Sequence, residues 1–204
     1  VKTAIEFFVN WDVDEIVILD IDASREGRGP NVELVAWAAK ECFVPLTIGG
    51  GIRTVQHIRD LLKAGADKVC LNSVVYDHEA FITEAAAVFG CQCITVSIDA
   101  IETPDGYRVF NHLTRTILPQ TPAEQARRLE GLGAGEIFLN SVDRDGCRQG
   151  YDLALLRSVA SEVSIPVIAC GGVGKMADLA AGVLQGGCQA VAAANIFQHT
   201  EHST

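Results

Sequence analysis

Five aspartates stand where short β-branched runs give way to loops. Asp20 and Asp22 close the run Glu15 to Asp22 (EIVILDID), Asp99 closes Cys93 to Ala100 (CITVSIDA), and Asp143 closes Glu136 to Asp143 (EIFLNSVD), with Asp145 two residues on in NSVDRDG. A carboxylate at the end of a parallel strand can reach a ligand and move protons. A single Asp there could equally cap the following loop, but several at successive strand ends favour chemistry. Two glycine runs lie in comparable places: Gly49-Gly50-Gly51 before Ile52, and Gly171-Gly172-Val173-Gly174 before Lys175. Turns without side chains let backbone N–H groups approach a phosphate at a helix start. Strand-to-helix turns use Gly anyway, so one such run says little. Each run here is followed by a further strand ending in small or polar residues, Asn72-Ser73 and Ala194-Asn195. Two matching cradles point to a substrate with a phosphate at each end.

Glu15, Lys68 and Glu136 start their runs rather than end them. On residue type alone, two acids and a lysine on that face read as a stabilising ring of charge. His57, His112, His199 and His202 are isolated and read as exposed. Cys91 and Cys93 have C-x-C spacing with no further ligands nearby, so they imply no metal. No nucleophile elbow, Walker or dinucleotide signature occurs.

The elements that must position these groups alternate regularly. Apolar runs at 15–22, 45–51, 68–73, 93–100, 136–143, 166–172 and 190–197 are separated by stretches of helical length and period at 31–41, 54–64, 77–89, 122–131, 152–162 and 175–185. Nearly continuous apolar strands between helices mean a parallel sheet covered on its outer side. The one long connection is Glu102 to Pro122, and one domain, 1–204, is expected.

The chain also repeats itself. Glu15 matches Glu136, Asp22 matches Asp143, Gly29 matches Gly150, Pro45 matches Pro166, Gly51 matches Gly172 and Gly65 matches Gly186, always 121 residues apart. A repeat of this length holds several βα units. The expected fold is therefore α/β, a (βα)8 TIM barrel of two half-barrel repeats with its active site at the C-terminal strand ends. The same offset places the counterpart of strand 93–100 upstream of Val1 and carries the last helix past Thr204. Strand 1 and most of helix 8 are thus expected to be missing from this chain, with an acidic residue at a strand end about 20 residues upstream.

Composition narrows the partners. The 204 residues are 49% hydrophobic and carry a formal charge of −10. An acidic surface repels a phosphate backbone, which argues against nucleic acid. No run of 18 apolar residues occurs, so no membrane span is expected. Seven cysteines, an odd number in apolar surroundings, read as buried free thiols of a cytoplasmic protein.

Longer strings are specific enough to carry a resemblance. LDIDAS, TIGGGI, GADKVCLNS, SIDA, GAGEIFLNSVDRDG, GYD and IACGGVGKM, in this order over nearly the whole chain, strongly resemble the cyclase subunit of imidazole glycerol phosphate synthase. The resemblance implies a lyase of histidine biosynthesis that takes ammonia from a glutaminase subunit, its heterodimer partner, and needs no metal or cofactor. Its substrate is a bisphosphorylated ribulosyl aminoimidazole carboxamide nucleotide. Its products are imidazole glycerol phosphate and an aminoimidazole carboxamide ribotide. By the same resemblance Asp99 is one of two acid–base aspartates and Asp145 a further active-site acid. Asp20, Gly51, Asn72 and Ser73 fall in the phosphate site of one half; Gly146, Gly172, Ala194 and Asn195 fall in the other. Asn195 stands where the family usually has Ser. Glu15, Lys68 and Glu136 match a charged gate for ammonia, which changes the reading of that ring. The loop from Ile101 to Pro122 and the end NIFQHTEHST are unlike the usual cyclase. They leave two alternatives: a cyclase-like subunit for amidino sugars of surface polysaccharides, or an inactive scaffold for a glutaminase.

Overall fold

A strand covered on both faces must be apolar at successive positions rather than at alternate ones. Leu46–Gly49 comes close to this: all four of its residues are buried, and its one polar side chain, Thr47, is hydrogen-bonded. The computed structural model describes residues 5, 8, 13–194 and 196, and the chain falls into two compact units, Val1–Thr95 and Val96–Thr204.

In the first unit β1 (Ile16–Leu19), β2 (Leu46–Gly49) and β3 (Lys68–Leu71) pair in parallel in sequence order. Helices α1 (Val32–Glu41) and α2 (Val55–Ala64) connect them, with α3 (Ser73–Asp77) and α4 (Phe81–Phe89) after β3. Local sequence sets the helix ends. Asn31 and Thr54 accept hydrogen bonds from the amides of Leu34 and His57, and α2 stops at Gly65, whose φ of 110° suits a residue without a Cβ. Ile48, Val69, Leu71, Ile58, Leu61 and Ile82 form the core. The sequence predicts one helix at 77–89, but His78 interrupts it and two shorter helices form.

The second unit begins within β4 (Ile94–Thr103), which neighbours β7 (Glu136–Ser141). Strands β7, β8 (Val167–Cys170) and β9 (Ala190–Val191) then pair in parallel. The connecting helices are α5 (Pro122–Leu132), α6 (Leu153–Ala160) and α7 (Met176–Leu184). Helix α5 has a complete capping box: Thr121 Oγ1 accepts from the Glu124 amide and Glu124 accepts from the Thr121 amide, with Pro122 at the first position. Its end is Gly133 at φ 105°.

The long connection is not a plain loop. It continues β4 into an antiparallel hairpin of β5 (Gly106–Asn111), which pairs in turn with β6 (Thr116–Ile117). The alternation in Tyr107, Val109 and Asn111 was the local signal, and Val109 and Asn111 are the buried positions. The free thiols also differ from expectation. Cys70 and Cys188 are buried, whereas Cys91 and Cys147 are exposed. Among the described residues no helix is long and apolar enough to cross a membrane.

Candidate active site

The end of β1 is braced by its own loop. Asp20 donates its amide to the Gly49 carbonyl at 2.9 Å, and its carboxylate receives Arg28 Nη1 at 3.1 Å and Arg28 Nη2 at 3.4 Å. The Ala23 amide adds a third hydrogen bond at 3.1 Å. Arg28 above all holds the Asp20 carboxyl below the usual carboxylate range. Arg28 is shared with Glu26 at 2.6 Å. Asp20 is therefore an ionised brace for the loop after β1.

That loop closes over the first glycine turn. Gly51 donates its amide to Ser24 Oγ at 3.4 Å, and a Cβ on Gly51 would lie 2.6 Å from the Arg28 carbonyl oxygen. Arg53 locks the loop from outside by donating to the Ser24 and Gly27 carbonyls. His57 is not an idle surface residue, since its Nδ1 accepts from the Arg53 amide at 3.3 Å. Gly49 and Cys70 are register partners, so Gly50-Gly51 and Asn72-Ser73 leave adjacent strand ends.

The second unit brings more of the chemistry together. Asp99 is buried, with 12% of its side chain exposed. Its Oδ1 accepts from Asn140 Nδ2 at 3.0 Å, and its Oδ2 lies 3.1 Å from His112 Nδ1. A buried carboxylate needs such partners to stay charged. The hydrogen bond to Asp99 raises the His112 pKa above its ordinary 6.5, against the effect of burial. Next to this group Cys170, the register partner of Asn140, has its thiol pushed up to about 12 by burial, then by Asp145 and Asp99. Asp145 is exposed, and Asp143 accepts from the Glu102 amide at 2.7 Å. Gly172 is packed so that a Cβ would lie 2.4 Å from the Gly150 carbonyl oxygen, whereas Gly146, at φ 74°, has open space. Ala194 is exposed. Asn195, His199 and His202 lie outside the described residues.

At the other strand ends Lys68 Nζ meets Glu15 Oε2 at 2.9 Å, both about one-fifth exposed. Thr47, whose register partner is Lys68, donates its hydroxyl to Glu15 Oε1. Glu136 starts β7 in the second unit and is half-buried.

Two members of the Asp99 cluster were not among the sequence candidates. Asn140 was read only as part of a strand end, and His112 was read as isolated and exposed. The signal for His112 is the hairpin itself, which runs back along β4 and returns the residue after β5 to Asp99 in the middle of that strand.

The family described as "Histidine biosynthesis protein" matches residues 1–204. The protein is 62% identical over 204 residues to the "Putative imidazole glycerol phosphate synthase subunit hisF2" of Vibrio vulnificus (strain YJ016). It is 48% identical over 190 residues, 93% of the chain, to the "Imidazole glycerol phosphate synthase subunit HisF" of Hyphomonas neptunium (strain ATCC 15444). The matched region spans 75% of the length of each. With parallel βα units in both halves and a match along its whole length, the chain belongs to the histidine biosynthesis protein family of (βα)8 barrels.

Proposed function

We propose that the protein is the cyclase subunit of an imidazole glycerol phosphate synthase. It joins ammonia, released by a glutaminase partner, to a bisphosphorylated ribulosyl aminoimidazole carboxamide nucleotide. The products are imidazole glycerol phosphate and an aminoimidazole carboxamide ribotide. The observation that carries this reading is a buried carboxylate, Asp99, in β4 next to the point where its pairing with β5 begins, with each oxygen engaged by a different side chain. The names of both relatives support it.

Addition of ammonia to a carbonyl, loss of water and ring closure all shift protons between nitrogen and oxygen. Asp99 as carboxylate takes, one at a time, the two protons that the adding nitrogen sheds, and as acid it returns each to the carbonyl oxygen, which leaves as water. Asp145 serves as a further acid near a phosphate. One phosphate is held at Gly51, Asn72 and Ser73, with Asp20 acting through the loop it braces. The other is held at Gly146, Gly172, Ala194 and Asn195. Glu15, Lys68 and Glu136 form the ammonia entrance. An apolar route beyond it keeps ammonia from the water that would protonate it.

The test is turnover by the full-length protein with the bisphosphorylated ribotide and an ammonium salt. Asp99→Asn is expected to lower kcat by about a hundredfold or more. Absence of turnover in the unsubstituted protein overturns the reading.

A further inference from the structure

We infer that His112 is a positioning residue for Asp99, which keeps it ionised between turnovers and carries its proton to and from water. The inference rests on the reading of Asp99 as the acid–base group. His112 and Asn140, both partners of Asp99 among the described residues, differ in kind. Asn140, from β7, offers an amide that can hold a carboxylate but cannot give up or take a proton. His112 offers an imidazole, which can do both. The exposures differ in the useful direction, since 38% of the His112 side chain is exposed against 12% for Asp99. A proton on the buried carboxyl thus has a titratable neighbour with access to solvent.

The imidazole is held there by its hairpin. Asn111, buried, accepts the amides of Leu113 at 3.0 Å and Thr114 at 3.2 Å through Oδ1, which shapes the chain on either side of His112. The Thr114 and Thr116 hydroxyls join at 2.7 Å, and Asn111 pairs with Thr116 across the strands. Tyr107, beside the turn between β4 and β5, ties the hairpin to Asp152 at the start of α6, at 2.8 Å. None of these contacts is needed for a loop that merely connects β4 to α5.

The proton balance closes. Neutral His112 takes the proton of the Asp99 carboxylic acid on Nδ1, leaving a carboxylate, and the imidazolium then releases its Nε2 proton to water. In the reverse direction water supplies the proton and Asp99 becomes the acid. Among the described residues the ionisable groups on the surrounding elements include Cys170 on β8, kept neutral by its raised pKa, Glu136 on β7, Asp143, Arg144 and Asp145 after β7, Glu102 on β4, Glu124 on α5, and Tyr107, Arg108 and Arg115 on the hairpin.

The test uses the full-length protein and has two parts. In the first, the His112 imidazole is titrated by NMR with labelled histidine, in the unsubstituted protein and in Asp99→Asn. The His112 pKa is expected above its ordinary value and to fall in the variant; an unchanged value overturns the pairing whatever the substrate. In the second, kcat and KM of His112→Ala and His112→Asn are followed across pH. His112→Ala is expected to lose about tenfold or more in kcat with KM within about twofold, and added imidazole should restore part of the rate. His112→Asn, which keeps a hydrogen-bond donor but carries no proton, should remain slow. Wild-type kcat in both variants, or full recovery in His112→Asn, overturns the inference while leaving the cyclase reading intact. Absence of turnover in the unsubstituted protein removes the cyclase reading and the inference with it, and the titration still decides whether the pair exists.

Discussion

Gly50 and Gly171, 121 residues apart, make the same close approach to backbone. A Cβ on Gly50 would lie 2.3 Å from the Asp20 carbonyl oxygen, and one on Gly171 would lie 2.7 Å from that of Ser141. Asp20 and Ser141 are themselves 121 residues apart. The next glycine also packs on backbone, Gly51 against the Arg28 carbonyl and Gly172 against that of Gly150, although these two partners are 122 residues apart. The repeat therefore preserves a backbone-on-backbone contact at the end of a strand, where no flexible side chain can yield.

Gly50→Ala and Gly171→Ala should accordingly cost about 2–4 kcal/mol each, from left-handed backbone at φ 106° and 89° plus forced overpacking. Gly27→Ala provides the control. It shares a positive φ of 70° but has nothing within 4 Å of the added Cβ, so only the backbone part, about 1 kcal/mol, should appear. Urea midpoints of the three variants check this, and equal losses would show that the close approach is immaterial.

Much of this was readable from residue types because glycine, proline and caps act locally. The strand and helix order followed from apolar runs, and the offset of 121 followed from Gly, Pro and acidic positions that backbone geometry constrains. The hairpin was not read, since β6 has only two residues, Thr116 and Ile117, too few for a period. His112 was missed with it. Its partner Asp99 lies 13 positions away, and only the hairpin's return brings them together. Nor does the sequence show that Arg28, eight positions on from Asp20, engages both its oxygens. No spacing rule covers a salt bridge inside an irregular loop.

Glu15 and Lys68 offer a second test. Both side chains are only about one-fifth exposed, so the pair falls between a surface bridge and a buried one. Lys68→Met should cost about 1–2 kcal/mol by leaving Glu15 with Thr47 alone as its named partner. Glu15→Gln with Lys68→Met should recover part of that loss. A double-mutant cycle by chemical denaturation measures the coupling, and additive losses would show that the two charges do not interact.

The Asp99–His112 contact also links stability to pH. A histidine whose pKa is raised on folding contributes stability that is complete below its unfolded value of 6.5 and disappears as pH climbs through the raised value. His112 is more than one-third exposed, so solvent screening keeps the contribution below about 1 kcal/mol. The Tm of His112→Asn should fall short of the unsubstituted protein by at most about 2–4 °C near pH 6. The gap should close toward pH 9. Calorimetry at several pH values checks the direction, and a gap that widens with pH would reverse the assigned sign.

Tyr107 tests how the hairpin is anchored. Its hydroxyl donates to Asp152 Oδ1, the same oxygen that caps α6 by accepting the Leu155 amide at 3.1 Å. Burial, with Asp152 second, pushes the Tyr107 phenol up to about 12, so it remains a donor at any working pH. Tyr107→Phe removes that donor and leaves the cap in place, at a cost of about 1 kcal/mol. The loss should be local: amides of Gly106–Asn111 should exchange faster while those of α6 keep their protection. Because the hairpin carries His112, the variant should also lower the His112 pKa toward its ordinary value. Hydrogen exchange and the histidine titration, made on the same variant, separate the two effects. Faster exchange in the hairpin with an unmoved His112 pKa would show that Asn111 and the Thr114–Thr116 contact hold the imidazole without Tyr107.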